Sequence, residues 1–191
     1  MSKKPNAVVK NLKKGPKAGD AVPYDQLYGN NGRHFEREFS KAYYVNTGKG
    51  KDLPNEDIEI KSRKNGSSSY HSVGTMTIED IIKTPYEQSI IYEKFQRQVR
   101  VHYDNTRRIV TNSRVYDFTD PLIQDKVKEA YEKARQVFID GYEGDWVRKS
   151  NWGLFERKRG YNSYTFRIPD KAMREFETIS SNSRTFKNLF E

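Results

Sequence analysis

Apolar side chains recur along this chain at two different periods. Over 32–44, Phe35, Phe39, Ala42 and Tyr43 return at helical spacing, and Asn30, Asn31 or Gly32 supplies a start signal. A Gly- and Lys-rich stretch over 46–55 interrupts the pattern. The period then changes to two. Ile58 and Ile60 fall on one side and Glu59 and Lys61 on the other, which predicts a strand over 57–62. Asn65-Gly66 is the strongest hairpin signal in the chain and predicts that a strand over 69–76 folds back on the first. Thr77 is placed to cap a short helix, with Asp80 at the capping-box position, and Pro85 to open a longer helix reaching 98. Strands are expected over 100–103 and 107–118, the second broken at Asn112-Ser113. Asp120-Pro121 then opens the clearest amphipathic helix. Ile123, Val127, Ala130, Tyr131, Ala134 and Phe138 share its face, and Gly141 ends it. Aromatic strands over 152–157 and 161–168 and a helix over 170–179 follow. The order predicts a mixed α/β fold with at least one hairpin. No repeat and no P-loop, Rossmann or zinc-finger pattern is present.

Composition narrows the chemistry. At 191 residues the chain is expected to be one domain over 20–191, preceded by a basic, flexible arm over 1–19 carrying Lys3, Lys4, Lys10, Lys13, Lys14 and Lys17. Tyr24 and Tyr28 are expected to mark where packing begins. There is no cysteine, which excludes a disulfide framework, a thiolate metal site and a thiol nucleophile. Only three histidines are present, which argues against a His-rich metal cage. A formal charge of +9 favours a polyanionic partner, nucleic acid first and an anionic membrane surface second. No stretch is apolar enough to span a bilayer or serve as a signal peptide, so a soluble cytoplasmic protein without a membrane partner is expected.

The stretch from Asp52 to Lys61 carries the most chemistry. Strand alternation sets Glu59 and Lys61 side by side, and Asp52 lies in the preceding loop, close enough to fold back onto them. Two carboxylates can hold Mg²⁺, and an adjacent lysine can position water or stabilise charge on a phosphate. The same triplet also suits a solvated sheet face. In the segment opening at Pro85, a continuous helix would place Lys94 and Glu87 in the middle of the inward stripe of Ile90, Ile91 and Phe95. Two readings of that placement stand side by side: a half-buried Lys94–Glu87 pairing, or Lys94 as a second cation at a phosphate.

These motifs together resemble the MutH-type branch of the PD-(D/E)xK nucleases, which holds the mismatch-repair nicking enzyme and related type II restriction endonucleases. Asp52-Leu53-Pro54 precedes Glu59-Ile60-Lys61 with the family spacing of six residues between Asp and Glu. Tyr86-Glu87-Gln88-Ser89, then Lys94, Arg97 and the run Val99 to Val101, is similar to a second family segment, with Tyr86 where tryptophan is usual. Gly32 and Glu36 match an upstream helix. The resemblance covers 32–101 and fades beyond. It implies a restriction-endonuclease-like α/β core, a central mixed sheet flanked by helices. Asp52 and Glu59 would be Mg²⁺ ligands, Lys61 the catalytic lysine, Lys94 a second active-site lysine and Glu36 a supporting carboxylate, with Glu38 its rival. The catalytic core would span 30–118 and a DNA-recognition half 119–191.

The implied activity is sequence-specific cleavage of double-stranded DNA, leaving 5′-phosphate and 3′-hydroxyl ends, by a homodimer where both strands are cut. Nicking in mismatch repair, and noncatalytic nucleic-acid binding on a nuclease-like fold, are the alternatives. A third is a structural or regulatory protein whose basic surface meets an acidic protein. Arg107-Arg108, Arg148-Lys149 and Arg157-Lys158-Arg159, interleaved with Trp146, Trp152, Tyr161 and Tyr164, are the candidate DNA contacts, expected as a group to line one side of a cleft.

Overall fold

The computed structural model describes residues 15–22, 31–66 and 69–182. The first fourteen residues of the expected arm, and Tyr24 and Tyr28, lie outside them. The elements are α1 (Asn31–Ser40), β1 (Glu59–Lys64), β2 (Tyr70–Thr77), α2 (Ile78–Lys83), a 3-10 turn (Tyr86–Gln88), α3 (Ile90–Lys94), β3 (Arg97–Asp104), β4 (Ile109–Asp117), α4 (Pro121–Ile139), β5 (Trp146–Val147), β6 (Leu154–Arg157), β7 (Ser163–Pro169) and α5 (Asp170–Asn182). The protein is α/β, with a mixed sheet and flanking helices. Its described residues form two compact units, the first from 15–22, 31–66, 97–117 and 181–182, the second from 69–96 and 118–180.

The first unit holds a three-stranded sheet in the order β1-β3-β4. β1 and β3 are parallel, and β3 and β4 form an antiparallel hairpin. Asp104 fixes that hairpin's turn. Its Oδ1 accepts the backbone N–H groups of Thr106 (2.8 Å) and Arg107 (3.0 Å), which hold its carboxyl below the usual range. Ile60, Val99, Val101, Tyr103, Val110 and Val115 build a core with Phe35 and Phe39 of α1, and with Val22, Leu53 and Ile58. The described end of the arm is docked onto this core. Pro16 is buried, and a Cβ on Gly15 would come within 2.6 Å of the Phe39 ring. Gly19 and Val22 donate to Val110 and Arg108 at the edge of β4, each at 2.8 Å.

The second unit holds an antiparallel sheet in the order β2-β7-β6-β5. The six apolar residues expected on the inner face of α4 are all buried, and Asp120 caps the helix by accepting from Leu122 N. Tyr131 and Phe138 of α4 pack on Phe155, Phe166 and Tyr164 of β6 and β7 with ring centroids 4.7–6.1 Å apart. Burial pushes the Tyr131 phenol up to about 12, so its hydroxyl stays a donor, at 2.8 Å from Thr84 O.

Three expectations fail. The hairpin at Asn65-Gly66 does not form: β1 pairs with β3 and β2 with β7, in different sheets. Strand partners distant in sequence outweigh the local turn signal. The break expected at Asn112-Ser113 lies one residue earlier, where His102 pairs with Asn112 and Tyr103 with Val110, leaving Thr111 as a bulge. The helix expected over 85–98 is broken at Ser89. This buried serine accepts from Tyr92 N at 3.1 Å as the cap of α3 and donates to Tyr86 O at 2.6 Å. A serine hydroxyl can satisfy backbone groups on both sides of such a break, which is why it favours helix ends over interiors.

Candidate active site

Asp52 reaches Glu59 through a tight turn. Leu53 and Ile58 form a two-way backbone bridge (2.9 and 3.1 Å), leaving four residues to reverse the chain. Asp57 closes the turn with φ +61°, a left-handed conformation that aspartate tolerates better than most residues. The loop before it is tied by Asn46, which donates from its backbone to Asp52 O (2.8 Å) and from its side chain to Lys49 O (2.9 Å).

The two carboxylates are cross-braced as a result. Asp52 N donates to Glu59 Oε2 at 3.3 Å, and Ile60 N donates to Asp52 Oδ2 at 2.9 Å. Lys61 Nζ donates to Glu59 Oε1 at 2.9 Å, with Glu59 only 1% exposed. Asp52, Glu59 and Lys61 are therefore brought together as expected. Two carboxylates are a hard-oxygen pair of the kind Mg²⁺ takes, since it uses one or two carboxylates and completes its shell with waters and substrate phosphate oxygens. Among the described residues no group of three or more His, Cys, Asp or Glu gathers as a denser cage.

The neighbouring strands extend the site. Glu59 is in register with Gln98, and Lys61 with Arg100. Gln98 and Arg100 are in turn in register with Tyr116 and Arg114. By strand alternation Lys61, Arg63, Arg100 and Arg114 share the face of Glu59, opposite the apolar core. Arg100 is buried and donates to Gln98 Oε1 at 3.0 Å. A carboxylate pair with Lys61 bonded to it, on a face that also carries Arg63 and Arg114, is suited to a divalent metal next to a phosphodiester.

Asp57 is a further member that the sequence pattern did not reveal. It accepts from Lys51 (2.5 Å) and Arg97 (3.1 Å), and Arg97 also reaches Asp117 (3.4 Å). Lys51 is 7% exposed. This chain of alternating charges pins the Asp52-to-Glu59 turn to the rung where β3 begins and β4 ends. Gln98 and Arg100 were missed because their placement depends on strand register, which no local pattern encodes.

Glu36 lies half-buried on α1, which packs on β1. Its rival Glu38 holds Lys41 with both carboxylate oxygens at 2.7 Å, a surface pair that explains Glu38 without the site. Lys94 belongs to the second unit, at the end of α3, with its stem 3.6 Å from where a Cβ on Gly74 would be. Lys94 and Glu87 do not share a helical stripe, since the two residues sit in separate short elements. Glu87 is exposed and pairs with Lys128, not Lys94; that ion pair holds its carboxyl below the usual range. Of the candidate DNA contacts, Arg107 and Arg108 lie at the β3–β4 turn of the first unit and the rest in the second. Tyr164 is buried among core rings and Trp152 is covered by Lys126 at 3.8 Å, so both serve packing, while Trp146 and Tyr161 are exposed.

No protein-family model matches the chain, and no curated protein is similar to it.

Proposed function

We propose that this protein is a Mg²⁺-dependent endonuclease of the type II restriction kind, acting on double-stranded DNA with a restriction-endonuclease-like core of the MutH branch. The observation that carries the reading is the cross-braced Asp52–Glu59 pair with Lys61 bonded to Glu59.

Asp52 and Glu59 would hold magnesium, whose chemistry is Lewis-acid polarisation of a phosphate oxygen and acidification of water. Lys61, a compact point charge, orients the attacking water and stabilises the charge that grows on the phosphate. Water oxygen bonds to phosphorus, the bond to the 3′-oxygen breaks, and a proton ends on that oxygen, giving 5′-phosphate and 3′-hydroxyl ends. Arg63 and Arg114, the accessible arginines of the β1-β3-β4 face, would hold the flanking backbone. Glu36 as supporting carboxylate and Lys94 as second cation rest on the resemblance alone. A homodimer would present one such site to each strand, and the protein would act in the cytoplasm. No described helix is long and apolar enough to cross a membrane.

The test is incubation with long mixed-sequence DNA and Mg²⁺, with EDTA as control. Discrete, EDTA-sensitive fragments support the reading; intact DNA at all Mg²⁺ concentrations rejects it, and a smear rejects its sequence specificity.

A further inference from the structure

We infer that the tip of the β6–β7 hairpin is a contact element for duplex DNA, in which Lys158 and Arg159 hold phosphates and Tyr161 presses its ring against the groove wall. The choice of DNA among polyanions rests on the nuclease reading; the geometry does not.

The stem of the hairpin is stiff. Phe155 and Phe166 pack at 5.1 Å, Arg167 pairs with Glu156, and the buried Tyr164 donates to Gly144 O at 2.8 Å. The last paired rung is Arg157 with Tyr164. Beyond it the chain turns through Lys158, Arg159, Gly160, Tyr161 and Asn162, closed by Lys158 N to Ser163 O at 2.9 Å. Gly160 has φ +76°, which lets so short a turn close, and a Cβ built there would meet nothing within 4 Å. The tip therefore stands in open space.

Its side chains are those of a DNA contact. Lys158 and Arg159 are exposed, and from Arg157 to Pro169 the hairpin itself carries no Asp or Glu; the acidic residues Glu143 and Asp145 lie alongside Arg157 at the base of the tip. Tyr161 is 64% exposed, with Lys158 Nζ 4.7 Å above its ring. An exposed aromatic held beside exposed cations matches a surface with phosphates outside and apolar sugar and base edges within. A two-stranded antiparallel ribbon also has the width that the major groove admits. The neighbouring strand β5 continues the pattern, with exposed Trp146 followed by exposed Arg148 and Lys149.

The experiment measures duplex binding by fluorescence anisotropy in EDTA over a series of salt concentrations, so no cleavage is involved. The proteins are wild type, Lys158→Ala/Arg159→Ala, Tyr161→Ala, and a control, Lys83→Ala/Lys133→Ala, that removes the same charge from exposed helix positions. The tip double variant should bind on the order of tenfold more weakly, and its salt dependence should flatten by about 0.9 for each phosphate it no longer neutralises. Tyr161→Ala should bind more weakly with its salt slope unchanged. The control should match wild type. If the tip variants bind as the control does, or bind duplex normally while failing to bind an acidic protein, the inference is overturned. If wild type binds duplex through the tip yet never cleaves it with Mg²⁺, the nuclease reading fails and this one stands.

Discussion

Lys61 is half of a buried-edge ion pair and, in the proposed reaction, the group that meets the water and phosphate. Lys61→Ala should lower single-turnover cleavage by roughly 10²-fold while duplex affinity changes little, since one positioned charge in a chemical step is worth that much. A change confined to affinity would reduce Lys61 to a phosphate contact. Asp57 acts one layer out. Asp57→Asn keeps a residue that tolerates a left-handed backbone but removes the charge shared by Lys51 and Arg97. The turn that spaces the two carboxylates should loosen, raising the Mg²⁺ concentration for half-maximal cleavage on the order of tenfold, the scale of residues that orient metal ligands. Melting should also fall, because Lys51 is left buried with less compensation. An unchanged Mg²⁺ dependence with a lowered melting temperature would make Asp57 a stability residue only. Single residues were legible in the sequence where neighbours in sequence are neighbours in space: Asp52, Glu59 and Lys61 converge through one turn and one strand repeat. Arg100, Gln98 and the link from Asp57 to Arg97 depend on a strand far along the chain and left little local trace.

The same divide governs the elements. The helix α4 was legible down to its six buried residues and its cap, because an amphipathic period of nineteen residues with Asp-Pro at its head admits one reading. The segment after Pro85 was not, because a single buried hydroxyl decides it. Ser89→Ala should cost about 1–2 kcal/mol, the sum of a lost cap and a lost backbone partner. Thermal melting checks this; an alanine that leaves stability unchanged or raises it would mean the segment runs equally well as one helix, restoring Lys94 and Glu87 to a common face. The Asn65-Gly66 turn shows the opposite error, a strong local signal without a sheet to serve. β1 is taken by a parallel partner that arrives only after a crossover through 69–96, and parallel pairing requires such a connection.

For the whole molecule, the α/β class followed from the alternation of periods. The assignment of strands to two sheets did not, since β1 pairs with β3 and β2 with β7 only across long stretches of chain. The charge of +9 is legible as a preference for polyanions and becomes specific only where the fold places cations, on the β1-β3-β4 face and at the β6–β7 tip. Everything proposed for the site depends on Asp52 and Glu59 supporting metal-dependent phosphodiester hydrolysis. Supercoiled plasmid cleavage decides it, with wild type and Asp52→Asn purified in parallel and titrated with Mg²⁺. Asp52→Asn keeps the side-chain oxygen that accepts from Ile60 N but removes the ligand charge. Wild type should give linear product with Mg²⁺ and none in EDTA, and Asp52→Asn should give none at equal fold and duplex affinity; cleavage by Asp52→Asn at the wild-type rate would refute the assignment of Asp52 as a metal ligand and the hydrolytic mechanism with it.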